Sequence, residues 1–229
     1  MKLKLKILLL SVLLLSGCSS LRILWESGQE GENTICLNFD DGPNGIATKK
    51  LIDVLVKQQV PATFFIIGKN AEREPELLRE LSLKVFKIGN HSYEHDTFLF
   101  TKNQKTIEAD IIKTNNIIKD ITGETPSLFR PPNGVINKNI EKACKDISMT
   151  PVGVNIFVND PMLTNADVTY TYVMQELKSG MSTLVLHDGF GLFENPHRVF
   201  ISDAVDRIIN KLKEKGYKFG TINEKGLCS

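Results

Sequence analysis

"CLNFDDGPNG", residues Cys36 to Gly45, carries a short apolar stretch into two adjacent carboxylates and ends on a Gly-Pro turn. Neighbouring like charges raise each other's cost of ionisation unless a cation or an arginine lies close by. Taken alone, the stretch reads as a turn, because Asp and Gly-Pro are ordinary loop formers. The question it raises is why Asp40 and Asp41 stand where a buried strand ends, and the chain on either side decides it.

Outward from this stretch the pattern alternates. Thr34–Phe39 reads as a strand and is followed by a helix over Ala47–Gln59, a strand over Ala62–Gly68 and a helix over Pro75–Leu83, with Pro75 in its first turn. Next come a strand at Val85–Gly89, a helix over Gln104–Ile121, a short strand at Ser127–Phe129 and a helix at Lys138–Asp146. Strand Thr150–Phe157, helix Val168–Lys178, strand Ser182–Leu186, helix Val199–Lys215 and strand Tyr217–Ile222 complete the series. The strands are rich in Ile, Val and Phe without strict alternation, as expected when both faces are buried. The prediction is an α/β domain of seven strands and six helices around a parallel sheet, either open or closed into a barrel. In the long helix, Ile107, Ile111, Ile118 and Ile121 form one buried stripe.

The ionisable residues that follow these strands gather on one rim, because the carboxyl ends of parallel strands share a side. Asp40 and Asp41 follow the first strand, His91 and His95 the third, Arg130 the fourth, Asp160 the fifth, and His187 with Asp188 the sixth. Three of the chain's 4 histidines stand there, which chance explains poorly. The fourth, His197, reads as an ordinary loop residue. His91 and His95 in "NHSYEH" are spaced to share one side of a helical turn. Two imidazoles and one carboxylate suit a borderline divalent ion such as Zn²⁺, with Co²⁺ or another divalent ion as a substitute. Asp41, His91 and His95 would hold it, and Asp40 would stay beside it as a base.

The ends and the composition bound the setting. "MKLKLKILLLSVLLLSGCSS" carries Lys2, Lys4 and Lys6 before an apolar run too short to read as a membrane span, which is the form of an export signal. Leu15–Cys18 resembles a bacterial lipobox, in which the cysteine is acylated and becomes the new N-terminus. The expected organisation is a signal peptide over 1–17, a lipidated tether over 18–33 and one domain over 34–229. A polar tether over Ser19–Asn33 reaches about 50 Å fully extended. The domain would therefore work near the outer face of an envelope membrane. The net charge of +1 gives no basic field for nucleic acid, and a monomer is expected. Besides Cys18 there are Cys36, Cys144 and Cys228; export allows one disulfide among them and leaves open which.

With these residues in place the chain resembles a polysaccharide deacetylase of the NodB-homology group, carbohydrate esterase family four, over about Thr34–Glu224. Five motifs occur in the family's order: "NFDDGP", "HSYEH", "RPPNG", the aspartate of "NDP" and "LVLHDG". The resemblance implies a distorted seven-stranded (β/α) barrel. It implies Asp40 as catalytic base, Asp41, His91 and His95 as metal ligands, and Arg130 as the residue that orients the base. It further implies Asp160 as the aspartate that tunes the catalytic histidine, His187 as general acid, and Leu186 or its neighbours as the wall of an acetyl pocket. Asn133 stands where the family has an aromatic residue whose backbone N–H faces the developing oxyanion. Pro161 stands where the family has a tryptophan, so part of the usual groove wall differs.

The function expected from this is metal-assisted hydrolysis of N-acetyl groups on a cell-envelope glycan, peptidoglycan or a poly-N-acetylglucosamine-like polymer. Two other readings remain. A lipoprotein could bind glycan without turning it over, given Asn133 and Pro161. A two-His-one-carboxylate set also marks non-haem Fe(II) oxygenases, although a second carboxylate, an arginine and a distant histidine have no evident role there.

Overall fold

The structure is a computed structural model that describes residues 33–229 apart from 155, 159, 178–181 and 194. The export signal, Cys18 and the tether up to residue 32 lie outside the described residues, as does Lys178 at the expected end of a helix.

All the strands pair in parallel. They are β1 (Thr34–Gly42), β2 (Ala62–Ile66), β3 (Phe86–Asn90), β4 (Leu128–Phe129), β5 (Thr150–Pro151), β6 (Ile156–Phe157), β7 (Thr183–His187) and β8 (Lys218–Gly220). They run in the order β5-β4-β3-β2-β1-β7-β6, with β8 paired to the first residues of β1. The single strand expected over Thr150–Phe157 is two short ones, the first paired with β4 and the second with β7. Those two pieces form the two edges of the curled sheet, so the chain itself bridges the seam and the barrel stays incomplete there. Gly153 sits in the gap, where a glycine weakens a strand and allows another group to approach the backbone.

Among the described residues there are seven α-helices, and six answer to expected ones: α1 (Gly45–Gln58), α3 (Pro75–Ser82), α4 (Gln104–Thr122), α5 (Lys138–Asp146), α6 (Ala166–Glu176) and α7 (Phe200–Glu214). The seventh, α2 (Gly68–Arg73), takes over where the second strand was expected to continue to Gly68. Helices α4, α5 and α6 each begin at an asparagine whose side chain accepts the backbone N–H of the third residue on, Asn103, Asn137 and Asn165 respectively.

Alternation along the strands sorts the core into two layers. Ile35, Leu37 and Phe39 of β1 face outward with Leu184 and Leu186 into the main cluster beneath the helices. Cys36, Phe65, Leu128, Val152 and Ile222 form a small cluster inside the curl. Cys36 bonds Cys228, which ties the C-terminus under the barrel, while Cys144 is buried and free. Burial pushes the Cys144 thiol up to about 12. Among the described residues no helix is long and apolar enough to cross a membrane.

Candidate active site

Strict alternation would turn Asp40 and Asp41 to opposite faces of the sheet. It does not, because Asp41 takes φ 75° and the pairing of β1 with β2 slips between Asp40 and Gly42. Such a bulge re-aims a side chain at a strand end, and here both carboxylates line one cavity of about 480 Å³. The same cavity is lined by His91, His95, Arg130 and His187, so six of the eight residues expected on the rim meet there, while Asp160 lies behind His187 and the buried Asp188 turns away to the Thr48 hydroxyl.

The two carboxylates have different partners. Asp40 Oδ1 accepts from Arg130 Nη1 at 2.7 Å, and Arg130 is almost wholly buried with its guanidinium 3.9 Å from the centre of the Phe65 ring. Asp41 Oδ2 accepts the Gly191 N–H at 2.9 Å, while the buried Asp41 Oδ1 accepts no hydrogen bond among the described residues. That orphaned oxygen lies 3.5 Å from His91 Nε2 and 3.3 Å from His95 Nε2. The His91 Nδ1–H donates to the Arg130 carbonyl at 2.7 Å, which fixes the tautomer and leaves the Nε2 lone pair directed at Asp41. Burial, with His95 beside it, drives the His91 pKa down to about 3, so the ring is neutral. An unsatisfied carboxylate oxygen and two imidazole nitrogens within 4.8 Å of one another fit a divalent cation.

His91 and His95 are not on a helical turn. They stand in an irregular loop with positive φ at Ser92 (67°) and His95 (54°), and the bend brings their ring centres to 5.0 Å. The bend is set by Asn90, whose carboxamide accepts the Ser92 N–H at 2.8 Å and donates to Ile111 O and Asn115 Oδ1. Asn70 has a similar part: its Nδ2 donates to both Asp41 O and Gly191 O, fastening Asp41 to the loop after β7. A side chain at Gly189 would meet the Asp41 carbonyl oxygen at 2.6 Å, which accounts for the glycine of "HDG".

On the other flank, His187 ends β7 opposite Asp40 of β1. Its Nδ1 is 2.7 Å from Asp160 Oδ1, and its backbone N–H donates to Asp160 Oδ2 at 3.0 Å. Burial alone would push His187 down, but the charge of Asp160 and its hydrogen bond, with Asp41 and Asp40 further off, outweigh it and lift the imidazole to about 9. Asp160 is fully buried and is paired with Arg198. Nothing in "PHRVF" marks Arg198 in sequence, and Asn70 and Asn90 give equally little sign.

Asn133 also lines the cavity, with φ 60° and its Nδ2 donating to Thr97 O at 3.2 Å. Leu186 does not. It points outward into the main core, one residue before His187 and hence on the opposite face of β7. Of Leu186 and its neighbours, Val185 shares the inward face with His187 by alternation. The outer lip carries exposed apolar residues, among them Phe190, Phe193 and Met162.

The sequence pattern of the family described as polysaccharide deacetylase matches residues 27–152. This chain belongs to the polysaccharide deacetylase family. A peptidoglycan-N-acetylglucosamine deacetylase of Bacillus cereus is 33% identical over 196 residues, 86% of this chain and 69% of that protein. The peptidoglycan-N-acetylmuramic acid deacetylase PdaC of Bacillus subtilis is 32% identical over 200 residues, and the match spans 40% of its length. A crystal structure of a peptidoglycan N-acetylglucosamine deacetylase superimposes with a TM-score of 0.79 at 32% identity, covering 89% of this chain and 92% of that one. A family pseudoenzyme from Bacillus anthracis also shares the fold, at TM-score 0.75 and 24% identity, so the fold alone does not carry turnover.

Proposed function

We propose that this chain is an exported, lipid-anchored hydrolase that uses a divalent metal, Zn²⁺ by preference, to remove N-acetyl groups from a cell-envelope glycan. Peptidoglycan is the favoured substrate, because the relatives at about 30% identity are named for it and because a tether of about 50 Å keeps the domain close to its membrane. The observation that carries the reading is the unequal division of partners between the two carboxylates: Asp40 sits on Arg130 at 2.7 Å with His91 Nε2 at 3.9 Å, and Asp41 faces the two imidazoles at 3.5 and 3.3 Å. A turn or a purely structural acidic pair has no need of that asymmetry.

Asp41, His91 and His95 would hold the ion, which supplies Lewis-acid polarisation of a carbonyl and acidifies water at neutral pH. Asp40, fixed by Arg130, takes the proton of the water as its oxygen adds to the acetamide carbon. The backbone N–H of Asn133 donates to the oxygen on which charge builds. His187, protonated and oriented by Asp160, gives its proton to the amide nitrogen as the C–N bond breaks, since an unprotonated amine leaves poorly. The products are acetate and a glycan with a free amine.

Acetate release from acetylated chitooligosaccharides and peptidoglycan fragments tests the reading, with chelation abolishing it and Zn²⁺ or Co²⁺ restoring it. Glycan binding without acetate release by metal-loaded protein would make the chain a non-catalytic binder. Oxygen-dependent turnover with an α-keto acid would make it an oxygenase.

A further inference from the structure

Arg198 lies outside every motif of the sequence, yet among the described residues it is one of the two largest fully buried side chains, the other being Arg130. It comes from the short helical turn Pro196–Val199 that leads into α7. Its guanidinium donates to the Asp160 carbonyl oxygen at 2.7 Å, to Asp160 Oδ2, and to the His187 carbonyl oxygen at 2.5 Å. Its Cζ lies 5.0 Å from the centre of the Phe200 ring. One planar group thus joins three chain segments.

Asp160 needs such a tie. It opens the single turn Asp160–Met162 beyond β6, a strand of two residues, so its own segment has little regular structure to fix it. Its carboxylate is wholly removed from water and carries the charge on which the state of His187 depends. A buried carboxylate with an imidazole as its one ionic partner is costly to hold in place, whereas a guanidinium fork pins it in two directions at once.

We propose that Arg198 is a positioning residue for the His187–Asp160 pair: it holds the Asp160 carboxylate against His187 Nδ1, so that the imidazole meets the leaving nitrogen in one orientation. This rests on the acid role proposed for His187. The chain would then carry two buried arginines with parallel tasks, Arg130 behind the base and Arg198 behind the acid. Arg198 itself does not line the cavity.

The test uses the full-length, metal-loaded protein with Arg198→Met, Arg198→Lys, Asp160→Asn and the Met/Asn double variant. In the wild type the His187 Nδ1–H should give a downfield proton resonance, assigned by its absence in Asp160→Asn. Arg198→Met should broaden that resonance by solvent exchange and lower kcat by about a hundredfold with KM unchanged, the scale of a misplaced catalytic group. Arg198→Lys should fall between, and Arg198→Met should cost nothing further in the Asp160→Asn background. A folded Arg198→Met variant with an unchanged resonance and rate would overturn the proposal, and so would losses that multiply with Asp160→Asn. If Arg198→Met does not fold, Arg198→Lys decides: a wild-type resonance and kcat there would overturn it, because an ammonium lacks the rigid planar fork to which the positioning is assigned. The resonance is read without substrate, so a chain inactive on every glycan still tests Arg198, and failure of the deacetylase reading is told apart from failure of this one.

Discussion

Asp40 and Asp41 are consecutive residues whose side chains enter one cavity, and the left-handed backbone of Asp41 makes this so. Each carboxylate then falls to a different keeper, Arg130 for the first and the His91–His95 pair for the second. Asp40→Asn should therefore keep the metal and lose about 10²–10⁴-fold in kcat, the usual span of a general base. Asp41→Asn, His91→Ala and His95→Ala should instead lower metal occupancy. Metal content by elemental analysis beside kcat separates the two outcomes, and a near-normal rate for metal-loaded Asp40→Asn would reverse the assignment.

Arg130→Met should slow catalysis with metal still bound. Because Asp40 is then left buried without its charge partner, the fold should also lose about 3–5 kcal/mol, the range for breaking a buried pair. Urea unfolding and metal content on the same preparation check this. Equal stability of variant and wild type would show that water reaches Asp40 and pairs with it instead.

The protonated form of His187 is the one the proposed acid needs, and its pKa is raised to about 9. The rate should therefore hold through neutral pH and fall as pH rises through about 9. Asp160→Asn removes the charge that outweighs burial, so the fall should move to lower pH. The stability linkage has the same sign. A histidine raised in the folded state adds stability in full below its ordinary value near 6.5, and that share is lost as pH climbs toward about 9. An alkaline limb that stays in place in Asp160→Asn would assign it to another group.

Much of this was legible in the sequence, and the reasons for the rest are local. Strand and helix order followed from apolar runs and breakers, and all six expected helices are present. The fifth strand was missed as a pair because register and seam closure depend on partners far along the chain, which Thr150–Phe157 does not reveal. His91 and His95 were expected on a helical turn from spacing alone; the positive φ at Ser92 and the Asn90 carboxamide bend the loop instead. The resemblance places Leu186 or its neighbours in the acetyl pocket; alternation from His187 turns Leu186 outward into the core and leaves Val185 on the inward face. Asn70, Asn90 and Arg198 act through hydrogen bonds that reach residues as far as 121 positions away, and no periodicity marks such contacts.

The Cys36–Cys228 disulfide was the one pairing of three that sequence left undecided, and it spans 192 residues. Reduction should cost about 2–4 kcal/mol, since a long loop is released in the unfolded chain. Thermal unfolding with and without reductant should show it, and Cys144→Ala should leave that difference unchanged. Labelling with a radioactive fatty acid in cells should mark the wild type and not Cys18→Ser; no label on the wild type would leave an uncleaved N-terminal anchor in place of a lipoprotein.

Asn133 stands where the relatives implied by the motifs carry an aromatic residue, and its backbone gives a physical reason for asparagine. At φ 60° an asparagine is strained less than most side chains, and its amide reaches the Thr97 carbonyl at 3.2 Å. Asn133→Gly should therefore fold well, and Asn133→Ala should lose about 1 kcal/mol of stability. Both keep the backbone N–H, so both should keep kcat near wild type once metal content is matched. Proline cannot serve as the probe that removes the donor, because its ring fixes φ near −65° and would rebuild the loop. Replacing the amide at 133 by an ester removes the N–H with little change of shape, and it should lower kcat by about 10²-fold or more if that donor holds the oxyanion. A wild-type rate in the ester variant would take Asn133 out of the oxyanion hole and leave the metal to stabilise that charge.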